Sequence, residues 1–254
     1  MSRYTVGVIL PKELSKEDIV NNIKKTLEPF DANLRVEPYI AYTKDELVKK
    51  YDEYKTSYEN AENNPQVHEI LKLVKGDDLI FPDLGIESFE DFSENYTDSG
   101  IDDNGNALSS INPNAKWNYY EIGGRHSETV ETYNGEFCNY AKIKDIKFKQ
   151  EFSDKEIENM QNIYNIMITE GDFYTPEYYK KRYPNFEDFL NDRNFSTYAI
   201  LDYNGEWFEP GKMKAFGISD ASPEEILSFK KSYIDKIKSY DKEDWLVLVE
   251  CHIS

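Results

Sequence analysis

At 254 residues, with 39% hydrophobic and 15% aromatic side chains, the chain carries enough apolar material for a substantial core, which excludes a disordered polymer. Its net charge of −19 repels a phosphate backbone and argues against conventional duplex or single-strand nucleic-acid binding. The acidity serves solubility or, alternatively, docking on a basic protein or mimicry of DNA.

No run approaches the roughly 18 apolar residues of a membrane span. Met1-Ser2-Arg3-Tyr4 leads into an apolar run without a secretory pattern. Two cysteines, Cys138 and Cys251, occur without a CxxC motif. They predict buried, reduced thiols and a cytoplasmic protein with no membrane partner.

Residues 4–10 form a short apolar run closed by Pro11 and predict a buried strand. Ser15, with Asp18 three positions on, is a variant capping box for a helix whose Ile19, Ile23, Leu27 and Phe30 share a face. Residues 35–43 predict a second strand, and Thr43 caps a helix to about residue 62. A further helical stretch follows from Pro65 to Val74, giving a β-α-β-α opening.

Residues 76–115 are acidic and turn-rich, with Pro82, Gly85, Gly100 and Gly105, and predict an irregular excursion with a short helical piece at 89–92. Asn104-Gly105, Asn134-Gly135 and Asn204-Gly205 each stand between strand-like runs, the signal for type I′ hairpins.

Residues 153–169 predict a helix with Ile157, Met160, Tyr164 and Met167 on its buried side. Thr175 caps another, aromatic-rich helical region. Ser222-Pro223-Glu224-Glu225 starts a helix with proline at its first position, and Ile226, Phe229, Tyr233 and Ile237 form its buried stripe. Residues 245–253 are the last strand. No repeat or linker divides the chain, and none of these patterns sets an oligomeric state. The expectation is one α+β domain over 1–254, with a βαβα opening (1–75), an insertion with hairpins (76–150) and a closing region (151–254). Its sheet is expected to be ferredoxin-like, with helices on one face.

Chemical character concentrates in Asn112-Pro113-Asn114-Ala115-Lys116-Trp117-Asn118-Tyr119-Tyr120-Glu121-Ile122-Gly123-Gly124-Arg125-His126. Between Asp77 and Phe137 there are fourteen acidic residues and two bases, Lys116 and Arg125, both inside this stretch. Lone cations among aromatic rings suit an anionic, ring-bearing ligand. Arginine offers a planar fork, rings stack a base, and Gly123-Gly124 lets backbone amides approach closely. The same residues also fit a structural arrangement, with Trp117 and Tyr119 in the core, the glycines in a bulge, and both bases paired with carboxylates.

On the last strand, Val247, Val249, Cys251 and Ile253 share one face, and Leu246, Leu248, Glu250 and His252 share the other. Glu250 and His252 therefore project together, about 7 Å apart at Cα by strand rise, in position to tune an imidazole for proton transfer. A surface role for a histidine so near the terminus is the alternative. The stretch from Trp207 to Met213 reads as a hairpin edge whose aromatics pack or, through Trp207, meet a ligand.

There is no P-loop, GxGxxG, HExxH or cysteine-rich metal set, so neither cofactor nor metal is expected. Asp102-Asp103-Asn104-Gly105-Asn106 looks like part of a calcium loop. Its glycine offset, however, puts Gly100 at the first ligand position and Ile111 at the twelfth.

Three blocks resemble a family of phage and prophage proteins. That family reads Asn-Pro-x-Ala-Lys-Trp-Asp-Trp-Tyr-x-Ile-Gly-Gly-Arg-Trp in mid-chain, where this chain has residues 112–126, with Asn118, Tyr119 and His126 as departures. Its later Gly-x-Trp-x-x-x-Gly-x-Met-Gly-Trp-Phe-Gly block corresponds to residues 205–217, with Lys214-Ala215-Phe216-Gly217 at the end. Its closing Asp-Cys-His-Ile corresponds to Glu250-Cys251-His252-Ile253. The mobile-element setting of the family implies a counter-defence role in a host cell.

The expected function is binding of an anionic, nucleotide-like small molecule, an immune signal that the protein sequesters or cleaves. Lys116 and Arg125 would hold phosphate, Trp117 and Tyr119 would stack, and Gly123, Gly124 and Trp207 complete the ligand-binding set. A phosphodiesterase acting on a cyclic nucleotide would use His252 and Glu250 as catalytic groups. The rival class is an acidic protein-interaction module that blocks a basic host partner.

Overall fold

A computed structural model describes residues 2–62, 88–213 and 219–253. The helix expected from Pro65 to Val74, residues 76–87 of the irregular stretch, and Lys214 to Gly217 of the second block lie outside the described residues. The chain is α+β and divides into two compact units, residues 1–32 with 114–254, and residues 33–113.

The larger unit is organised by strand β10 (Trp245–Ile253), buried in every residue but its last. Burial on both sides is what a nearly continuous apolar run produces. Strand β1 (Ser2–Leu10) pairs with it antiparallel from end to end, Ser2 opposite Ile253 and Leu10 opposite Trp245. The other edge of β1 pairs parallel with β8 (Ala199–Leu201), which continues antiparallel to β9 (Trp207–Phe208). The remaining edge of β10 is shared by two short strands. β4 (Tyr119–Ile122) lies beside residues 249–252, and β7 (Tyr140–Lys142) beside residues 245–247; between them in sequence, β5 (Val130–Glu131) and β6 (Phe137–Cys138) pair with each other. The motif expected inside an insertion therefore supplies a strand of the main sheet.

Each sheet face has its own core. Ile19, Ile23 and Leu27 of helix α1 (Ile19–Leu27) pack with Val6, Val8, Val247, Val249 and Cys251. On the opposite face, Phe229, Tyr233 and Ile237 of the C-terminal helix (Pro223–Lys238) pack with Ile9, Ile200, Leu246 and Leu248. This corrects the expectation of helices on one face. Both alternating sets of the central strands are apolar, so each needs a cover.

The ferredoxin-like opening is also not formed. β2 (Arg35–Tyr42) pairs antiparallel with β3 (Ala107–Ile111) in the second unit, while the edges of β1 are taken by β10 and β8. The second unit also contains α2 (Lys44–Glu62), capped by Thr43, whose hydroxyl accepts from Glu46 N at 3.3 Å. Helix α3 (Phe89–Glu94) has a full capping box from Ser88. Tyr51 and Tyr96 pack against Phe92 at 5.2 and 4.9 Å between ring centroids.

The Asn-Gly turns differ from the type I′ expectation, which requires positive φ at both residues. Gly105, Gly135 and Gly205 have φ of 83°, 84° and 83°, but among the described residues the one non-glycine with positive φ is Glu128. A preceding aspartate explains the choice at two of the turns. Asp202 Oδ1 accepts from Asn204 N at 2.9 Å and Glu206 N at 3.0 Å, and Gly205 N donates to Asp202 O at 3.0 Å. Asp102 does the same for Asn104 and Asn106. The side chain thus holds a right-handed turn at asparagine and leaves the left-handed residue to glycine.

Three further helices complete the larger unit's chain: α4 (Asp154–Thr169), α5 (Pro176–Arg182) and α6 (Phe186–Asn191), followed by α7, the C-terminal helix named above. Ser153, Thr175 and Ser222 cap α4, α5 and α7 as expected. Of the predicted α4 stripe only Tyr164 is buried, and Ile157 is exposed. Among the described residues no helix is long and apolar enough to cross a membrane.

Both cysteines are free. Cys251 is fully buried, but Cys138 is half-buried, which corrects the expectation of two buried thiols. Burial pushes both thiols above their ordinary range, Cys251 the further. A thiol reagent at neutral pH should therefore modify Cys138 slowly in native protein and Cys251 only after denaturation. Rapid loss of both thiols, or a Cys138–Cys251 bridge in native mass spectrometry, would contradict that.

Candidate functional site

β4 and β7 occupy the same edge of β10 and hand over at Leu248. There Gly123 N donates to Leu248 O at 2.8 Å, and Leu248 N donates to Asn139 O at 2.8 Å. Between the two strands the chain must cross closely over β10, and Gly123-Gly124 makes the crossing. Both residues have positive φ, 74° and 52°. A Cβ on Gly124 would stand 2.5 Å from Glu250 Oε2, and one on Gly123 2.5 Å from Asn139 Oδ1. Only a chain without side chains at these two positions can lie on Glu250 in this conformation.

The short helical turn Gly124–His126 then delivers Arg125 onto Glu250. Arg125 Nε donates to Glu250 Oε1 at 2.6 Å, and Arg125 N donates to Oε2 at 3.2 Å. Glu250 is 1% exposed and Arg125's side chain 57%. Burial pushes the Glu250 carboxyl up, but the hydrogen bonds and charge of Arg125 outweigh it and hold the group below its ordinary range.

Two residues along the strand, His252 Nε2 lies 3.6 Å from Glu250 Oε2 and has no hydrogen-bond partner among the described residues. Tyr119, opposite His252 in the β4–β10 register, covers the imidazole edge-on at 5.0 Å and is itself 55% exposed. Arg125, Glu250, His252 and Tyr119 thus form a row of four side chains on one sheet face. His252 is a buried residue, at 5% exposure, rather than a surface one. No third His, Cys, Asp or Glu joins Glu250 and His252 in a group able to hold a metal ion, among the described residues.

The other predicted residues lie on the opposite face. Trp117 is 7% exposed and donates its indole N–H to Leu27 O at 2.9 Å, with Tyr120 edge-on at 5.0 Å. It is core, and its ring is not presented to a ligand. Lys116 Nζ bonds Glu209 Oε1 at 2.5 Å, and Glu209 Oε2 accepts the Trp207 indole N–H at 2.8 Å. Trp207 stands opposite Leu201 in register and packs against Phe30 at 4.9 Å between centroids. Lys116, Trp207 and Glu209 are therefore a closed, mutually satisfied trio.

The three blocks meet at two clusters, one on each side of the sheet, rather than at one site. Strand alternation explains the division. Glu250 and His252 leave one face of β10, while Cys251 faces Tyr4 and the core that holds Trp117.

Sequence reasoning missed Asn139 and Glu209. Asn139 Oδ1 accepts from Glu128 N at 2.6 Å and closes the loop over Gly123. Its signal was faint, a lone asparagine before an apolar pair. Glu209 was visible within the Trp207 stretch, but nothing in sequence linked it to Lys116, 93 positions away.

No protein-family model, curated protein or solved structure matches this chain.

Proposed function

We propose that the row Tyr119–His252–Glu250–Arg125 binds an anionic, nucleotide-like small molecule, and that the protein is a phage-type counter-defence factor that sequesters a nucleotide immune signal. The observation that carries this reading is how Arg125 is held. Its Nε is anchored on a buried carboxylate, while its Nη1 and Nη2 have no partner among the described residues and the side chain is more than half exposed. A guanidinium fixed in this way presents its outer N–H pair, preorganised, to a phosphate. Along the row, the exposed Tyr119 ring suits a stacked base. The phage setting rests on the resemblance of residues 112–126, 205–217 and 250–253 to that family.

Sequestration is favoured over cleavage. Glu250 is committed to Arg125, and His252 is covered by Tyr119, so neither has the access that a general base needs.

A melting-temperature screen of nucleotides and cyclic dinucleotides should find a ligand that stabilises the folded chain. That ligand should be recovered intact after incubation. Tyr119→Ala, which removes the edge-on cover of His252, should cost about 1 kcal/mol of stability and weaken the same ligand by about tenfold or more, the usual worth of base stacking. Native-strength binding to Tyr119→Ala, or no stabilisation by any nucleotide, would refute this reading.

A further inference from the structure

A second cationic feature lies far along the sequence from the motif. Between α7 and the segments flanking α4 and α6 is a cleft of about 260 Å³, lined by Lys149, Asn194, Ser196, Lys230, Lys231 and Lys238, with Asp235 as its one lining carboxylate. In a chain of net charge −19, four lysines around one small cavity are a local reversal of sign. Coulomb repulsion among them is a cost that an anion between them would relieve.

The pairing around the cleft is incomplete. Lys230 Nζ bonds the Ser196 hydroxyl and lies 3.6 Å from Asp192 Oδ1. That carboxylate is already engaged, accepting from Arg182 Nη2 at 2.8 Å and from the Tyr183 hydroxyl at 2.7 Å. Arg182, 6% exposed, keeps an Nη1 with no hydrogen-bond partner among the described residues. Lys231 is paired with Asp188 at 2.8 Å. Lys149 and Lys238 have no ion-pair or hydrogen-bond partner among the described residues, and both are exposed. Arg182 and Lys230 thus share one carboxylate, and two of the four lining lysines are uncommitted. Burial holds Lys230 below the ordinary lysine range, with Asp192 opposing that shift only in part.

We infer that this lysine cleft is a binding site for a compact anion carrying two or more phosphate charges. The cavity is smaller than the roughly 300–1,000 Å³ of drug-sized ligand sites, which suits a diphosphate better than a whole nucleotide. Lys230 and Ser196 would supply fixed donors at one wall, and Lys149 and Lys238 would fold in from the rim as mobile point charges.

Inorganic pyrophosphate is the probe, titrated into the full chain by calorimetry and followed by melting temperature, with sodium chloride at matched ionic strength as control. Pyrophosphate should raise the melting temperature where sodium chloride does not. In the Lys149→Gln/Lys238→Gln variant, which removes two exposed and unpartnered charges, affinity should fall at least tenfold with the unliganded melting point not lowered. Tyr119→Ala should bind pyrophosphate like the native chain, which separates this cleft from the site proposed above. Native affinity in the double variant, or an equal shift with sodium chloride, would overturn the inference.

Discussion

Arg125→Ala is expected to lower stability by about 1–2 kcal/mol, about 2–8 °C in Tm for a chain of this size, and to weaken ligand binding roughly a hundredfold. The substitution leaves Glu250, 1% exposed, with a charge and no cation. The cost stays near the lower end of the range for stranded buried groups because Arg125 is itself 57% exposed, and water reaches part of the space it vacates.

The pH dependence has a definite sign. Arg125 holds the Glu250 carboxyl below its ordinary range, so the pair's contribution is present at neutral pH and disappears as pH falls through that depressed value. In the variant, burial acts on the carboxyl with only the smaller influence of His252 opposing it, so the group protonates earlier on acidification than in the native chain and sheds its penalty. The stability gap between native chain and variant should therefore be widest near pH 7 and narrow steadily below about pH 5. A double-mutant cycle with Glu250→Gln gives the coupling directly. A gap that is constant with pH, or a coupling near zero, would mean that the ion pair contributes nothing. An Arg125→Ala variant that binds nucleotide at native strength would remove the arginine from the proposed site.

Gly124→Ala should be more damaging to the fold, by about 3 kcal/mol. Two costs add. Alanine must adopt a φ of 52°, and its Cβ would lie 2.5 Å from Glu250 Oε2 and 2.6 Å from Glu250 Cβ. The second contact is near the backbone of the central strand, so a rotamer change cannot relieve it. Gly135→Ala is the control. It has a φ of 84° with nothing within 4 Å of the added carbon, so it bears the conformational cost alone, about 1 kcal/mol. Urea midpoints for the two variants should rank Gly124→Ala well below Gly135→Ala. Equal midpoints would show that the glycine pair is there for backbone freedom only, and that its packing on Glu250 is soft.

Local patterns in this sequence determined the elements that depend on local physics. Capping residues placed the starts of α2, α4, α5 and α7 because a side-chain oxygen accepts from the backbone N–H three positions on whatever surrounds it. Strict alternation put Glu250 and His252 on one face of β10, and the Asn-Gly pairs marked all three turns. At the turns after Asp102 and Asp202 the turn type was missed because the aspartate side chain competes with the type I′ geometry.

Tertiary structure alone decided which strands pair and which cations remain open. β1 takes β8 and β10 as neighbours rather than β2, although β2 is nearer in sequence, because pairing follows edge availability and burial on both faces. Lys116 and Arg125 stand nine positions apart in one motif, yet they end on opposite sides of the sheet, each against a glutamate far along the chain. The spacing of a base along a chain says that a partner is needed. Only the packed sheet selects Glu209 for one and Glu250 for the other, and leaves the outer edge of Arg125 open.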